Sequence, residues 1–78
     1  MSAFDRLRGT MAASLGVAPD LIQTDTRQKD LPKWDSLAHI NLMVALESSF
    51  DVTLEVEDFA ALISVPAILE YLRGRGIE

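Results

Sequence analysis

The chain has 78 residues, 49% of them apolar and 24% charged, with a formal net charge of −5 and no cysteine. That length supports one domain around one small core, and the composition is too apolar for a disordered segment. The missing cysteines exclude a disulfide framework, thiolate metal sites and cysteine nucleophiles, and the acidic balance argues against a nucleic-acid partner.

The first helix is expected from about Ser2 to Leu15. Phe4, Leu7, Met11 and Leu15 recur at spacings of three and four, which places them on one face. Ser2 is a candidate N-cap with Asp5 three residues on, and Gly16 stands where a left-handed cap belongs. Residues 17 to 34 contain two prolines, three Asp and two Thr. They read as a long loop pinned by Leu21, Ile22 and Leu31, with a helical turn at Pro19 to Ile22.

A second helix is expected from Ser36 to about Ser49, capped by Asp35. Leu42, Leu46 and Phe50 form an i, i+4, i+8 core face. Leu37, Ile40 and Val44 then fall on another side, as a docking face or a cleft wall. Thr53 to Glu57 alternates weakly, and a loop is the reading preferred over a short strand. A short helix over about Val56 to Ile63 follows, with Phe59 and Leu62 as core contacts. Ser64 caps a last helix from Val65 to Arg73, which buries Ile68, Leu69 and Leu72 and stops at Gly74. Met11 and Met43 read as core filler. The fold class is therefore all-α: a small bundle of three main helices plus one short helix, with a long loop between helices 1 and 2. One domain covers residues 1–78.

Charge is unevenly spread. No Lys or Arg lies between Trp34 and Leu72, a stretch that holds Asp35, Glu47, Asp51, Glu55, Glu57, Asp58 and Glu70. Such a field attracts a basic partner surface. The acids lack the loop order and central glycine of a calcium site, so no metal is expected. No apolar stretch is longer than that from Leu42 to Leu46, which is too short to span a bilayer, and the first residues have no apolar core of signal-peptide length. Both point to a cytoplasmic protein without membrane insertion.

Trp34-Asp35-Ser36-Leu37 opens the second helix with an exposed hydroxyl. Together with Ile40, Leu42, Ala45-Leu46-Glu47, Phe50-Asp51, Leu15-Gly16-Val17 and the Ser64-Val65 start of the last helix, it resembles the acyl carrier protein family over nearly the whole chain. The resemblance implies a carrier and not an enzyme. Ser36 matches the serine that receives 4′-phosphopantetheine covalently from coenzyme A, and the thiol of that arm holds the acyl group as a thioester. It also implies, for a monomer, three kinds of partner: a phosphopantetheinyl transferase, an acyl- or aminoacyl-loading ligase, and a downstream synthase or acyltransferase. Independently, a phosphodiester on Ser36 would sit by a helix N-terminus, where free N–H groups and the dipole favour negative charge by about 0.3–1 kcal/mol.

Around Ser36, the expected recognition residues are Asp35, Leu37, Trp34, His39, Ile40 and Glu47. Trp34 reads first as a hydrophobic staple on the second helix, and second as a residue shaping the arm's exit. His39 is expected at the partner surface or beside the arm. A Ser36–His39 hydrolase is disfavoured, because one short helix turn does not supply triad geometry. An acyl pocket is expected between helix 2 and the last helices, lined by Ile40, Val44, Phe59, Leu62 and Ile68. Ala38, Asn41, Ser48 and Ser49 stand where fatty-acid carriers commonly have acids. This points to a specialised stand-alone carrier serving a dedicated lipid, polyketide or related pathway. The alternatives are an aminoacyl or D-alanyl carrier and, in another class, an unmodified helical interaction module.

Overall fold

The computed structural model describes residues 2–77. Four α-helices follow in order: α1 (Ala3–Leu15), α2 (Ser36–Phe50), α3 (Val56–Ala61) and α4 (Val65–Gly74). The α1–α2 connection carries two 3₁₀ turns, at Pro19–Leu21 and Gln28–Asp30. The expected all-α class and helix order are present. No strand forms among the described residues; Thr53 to Glu55 is loop, and Val56 and Glu57 already belong to α3.

Local chemistry sets the helix ends. The Ser2 hydroxyl accepts from Asp5 N–H while the Asp5 carboxylate accepts from Ser2 N–H, a reciprocal capping box. Gly16 closes α1 at φ 70, a left-handed conformation in which a side chain would be strained. Ser64 caps α4 through Ala67 N–H at 3.1 Å, with Pro66 in the first turn.

The core is one cluster. Leu7, Met11 and Leu15 of α1 meet Leu42, Met43, Leu46 and Phe50 of α2, and Val65, Ile68 and Leu72 of α4 close it. Each such fully buried aliphatic side chain contributes roughly 1.5–3 kcal/mol of transfer free energy.

Several expectations shift. α3 ends at Ala61 and not near Ile63, because Leu62 leaves helical geometry at ψ 56. Gly74 is the last helical residue of α4, and the left-handed glycine is Gly76 at φ 79. Leu21 is exposed and does not pin the long loop. Leu69 is only half-buried. The other two expected pins hold, buried Ile22 and half-buried Leu31, and a two-residue bridge between Arg27 and Ser64 joins them. In that bridge Gln28 N–H donates to Ile63 C=O at 2.9 Å, and Val65 N–H donates to Thr26 C=O at 2.8 Å. Arg8 adds a bond from Nε to the Ile22 carbonyl at 2.9 Å. The long α1–α2 connection thus keeps a fixed path.

Candidate functional site

Ser36 is the first residue of α2 and is exposed. Asp35 precedes it in extended geometry, and its carboxylate accepts from Ala38 N–H at 2.9 Å. The Asp35 carbonyl accepts from His39 N–H at 2.8 Å, closing the first turn. The N–H groups of Ser36 and Leu37 lie ahead of any intrahelical partner. The site is therefore an accessible hydroxyl on a rigid first turn, beside uncompensated backbone donors. Leu37 is 70% exposed, Ile40 51% and Val44 57%, so α2 carries an open apolar stripe leading away from Ser36.

Behind Ser36 the helix head is tied down by two side chains. Trp34 is the residue before the cap and His39 is the fourth residue of the helix, the two positions of a hydrophobic staple. Their rings lie 5.9 Å apart, so the staple reading of Trp34 holds, with a polar addition. Trp34 Nε1–H donates to His39 Nδ1 at 2.9 Å. An indole N–H can only donate, so Nδ1 accepts and the imidazole proton lies on Nε2. That Nε2–H donates to the Phe59 carbonyl of α3 at 2.6 Å.

This corrects two expectations. His39 is 7% exposed and Trp34 is 1% exposed, so neither is an open contact for a partner or for the arm. His39 lies on the same buried stripe as Leu42, Met43, Leu46 and Phe50. The spacing of His39 to Leu42, Met43 and Leu46 is the signal of its burial that the sequence carries. Glu47 is also engaged internally: its Oε2 accepts from Leu54 N–H at 2.8 Å, which fixes the loop after α2.

The five residues expected to line an acyl pocket differ widely in exposure. Ile40 and Val44 face solvent, Leu62 and Ile68 are packed in the core, and Phe59 is half-buried. The His39 side chain bridges α2 and α3 through its bond to the Phe59 carbonyl. A cleft of about 660 Å³ is lined by Arg27, Gln28, Lys29, Trp34, Ile63 and Ser64.

A family model described as the phosphopantetheine attachment site matches residues 5–72. The chain belongs to the acyl carrier protein family. It is 30% identical over 74 residues to an acyl carrier protein of Campylobacter fetus subsp. fetus, covering 95% of this chain and 96% of the relative. It is 29% identical over 76 residues to an acyl carrier protein of Bdellovibrio bacteriovorus, covering 97% of each. A Campylobacter hominis acyl carrier protein is 29% identical over 74 residues, 95% of this chain and 94% of the relative.

Acyl carrier proteins hold a covalent 4′-phosphopantetheine arm and are carriers, not enzymes. They work by meeting transferase and synthase partners. The geometry at the head of α2 fits that group: Ser36 has an exposed side chain, and two free backbone N–H groups adjoin the position a phosphate would take. No helix among the described residues is long and apolar enough to cross a membrane. No cluster of candidate metal ligands occurs among them either.

Proposed function

We propose that this protein is a monomeric cytoplasmic acyl carrier, one domain over residues 1–78, bearing its arm on Ser36 and serving a dedicated lipid, polyketide or related pathway. The observation that carries the attachment site is the exposed Ser36 hydroxyl on the first turn of a helix capped by Asp35 through Ala38 N–H at 2.9 Å. When bound, the arm supplies the thiol that holds an acyl group, a chemistry the chain itself lacks because it has no cysteine.

The chain's own contribution is placement. Asp35 and the closed first turn hold Ser36 rigidly, so a transferase meets the hydroxyl in one geometry. Tethering then keeps cargo at high effective concentration near docked enzymes. The dedicated pathway is argued from α2. Its exposed side carries Leu37, Ile40 and Val44, with no acid inside the helix but Glu47, and Glu47 is occupied by Leu54 N–H. A partner must therefore read an apolar stripe rather than a row of carboxylates, unlike the enzymes that serve acid-lined carriers.

The test is incubation with coenzyme A and a broad-specificity phosphopantetheinyl transferase, read by intact mass. One phosphopantetheine unit is expected on wild type and none on Ser36→Ala. A folded wild type that gains no mass would leave the interaction-module alternative standing. Loading the holo form with acyl and aminoacyl substrates by candidate ligases then separates the two kinds of cargo.

A further inference from the structure

The Trp34–His39–Phe59 chain of hydrogen bonds is more than a way of filling the core. α3 has six helical residues, too few to be stable alone. Its last helical bond runs from Leu62 N–H to Asp58 C=O at 2.9 Å, and the chain then leaves the helix. Phe59 C=O is the next carbonyl in line and has no helical donor to receive. His39 Nε2–H supplies one from α2 at 2.6 Å. In effect a side chain of α2 caps the C-terminal end of α3. The same imidazole is oriented by Trp34 at 2.9 Å, a residue that immediately precedes the Asp35 cap. One ring thus links the segment entering α2, the first turn of α2 and the end of α3. All three bonded groups are on the half-buried or buried side, with Trp34 and His39 removed from water.

The consequence concerns the surface around Ser36. Leu37, Ile40 and Val44 are exposed on α2, and Val56 is exposed on α3. A partner touching both helices meets them in a fixed relative position only if α3 is held against the α2 head. We propose that His39 is a positioning residue. Through its bonds to Trp34 Nε1–H and Phe59 C=O it locks α3 onto the Ser36-bearing turn, and so presents the transferase with one prearranged two-helix surface. The proposal rests on Ser36 being the attachment serine. Ser36 and its Asp35 cap lie outside the relay, so breaking the relay leaves the reacting hydroxyl in place and loosens the docking surface. The cost falls on KM for the carrier and not on kcat.

The experiment measures transferase kinetics with the carrier as varied substrate, at a temperature where every variant is folded by circular dichroism. His39→Leu removes both bonds while keeping bulk, and is expected to raise KM about five- to tenfold with kcat within about twofold of wild type. His39→Gln keeps one acceptor and one donor and is expected to return KM to within about threefold of wild type. Trp34→Phe deletes only the first bond, gives an intermediate KM, and serves if His39→Leu does not fold. Nitrogen-15 spectra supply an independent signature: a protonated Nε2, an unprotonated Nδ1, and a single indole N–H slow to exchange. A wild-type KM in folded His39→Leu or Trp34→Phe, a Gln variant no better than Leu, or a protonated Nδ1 tautomer would overturn the positioning role. A wild type that gains no arm would overturn the attachment reading as well, which separates the two failures.

Discussion

Val65 N–H donates to the Thr26 carbonyl at 2.8 Å, joining the first residue of α4 to the middle of the α1–α2 loop. Thr26 is itself buried, and its hydroxyl accepts from Gln23 N–H at 2.8 Å. The loop is therefore anchored by a residue that is polar and local in its side chain but long-range in its backbone. Thr26→Val keeps the shape and removes the hydroxyl acceptor. It is expected to lower stability by about 1 kcal/mol, read as a lower urea midpoint with an unchanged slope.

Asp35 has two separable roles at the head of α2, a cap and a charge. Asp35→Ala is expected to cost about 1 kcal/mol in thermal or urea unfolding, the usual loss for a missing N-cap acceptor. Asp35→Asn retains the acceptor for Ala38 N–H and is expected to stay within about 0.5 kcal/mol of wild type. If a transferase reads the carboxylate, Asp35→Asn raises its KM while stability holds. Equal kinetics for Asn and wild type would restrict Asp35 to capping.

At the other end of α2, Asp51 adopts φ 54, the single positive φ among the described non-glycine residues. Two effects oppose it there. A left-handed conformation is costly for a residue with a Cβ, and a carboxylate at a helix C-terminus faces the negative end of the dipole. Asp51→Gly removes both and is expected to stabilise the protein by about 0.5–1 kcal/mol, after the larger backbone entropy of glycine in the unfolded chain. Asp51→Asn, which relieves only the charge, is expected to give a smaller gain. A lower melting temperature for the glycine variant would contradict this account.

What could be read from the residues alone follows the range of the interactions. Ser2–Asp5, Gly16, Asp35–Ala38 and Ser64–Ala67 are all decided within four residues, and all were legible. So was the α2 core face of Leu42, Leu46 and Phe50, because periodicity reports burial directly. The end of α3 was not, since the Ile63 carbonyl just beyond it accepts from Gln28 N–H, far away in sequence. His39 was misplaced for a different reason. A lone polar residue beside an exposed serine suggests surface chemistry, whereas two buried partners, an indole and an orphaned carbonyl, make its burial affordable.

Ile40 offers the sharpest separation of folding from recognition. It lies one residue after buried His39 on α2, yet its own side chain is open to solvent. Ile40 is 51% exposed, so about half of its surface is withdrawn from water on folding, and Ile40→Ser is expected to lower stability by about 1 kcal/mol beyond its helix-propensity cost. If α2 docks through its apolar stripe, the same substitution removes an anchor at the centre of the contact. Loss of one such anchor is expected to weaken partner binding by about 1–2 kcal/mol, a KM raised roughly five- to thirtyfold for the loading or downstream enzyme. Asn41→Glu, on the neighbouring exposed position, supplies the converse test. It restores a carboxylate where fatty-acid carriers commonly have one, and should leave the cognate partner less affected than Ile40→Ser does. Unchanged kinetics for Ile40→Ser alongside a large effect of Asn41→Glu would move the docking contact off the stripe and onto the polar side of α2.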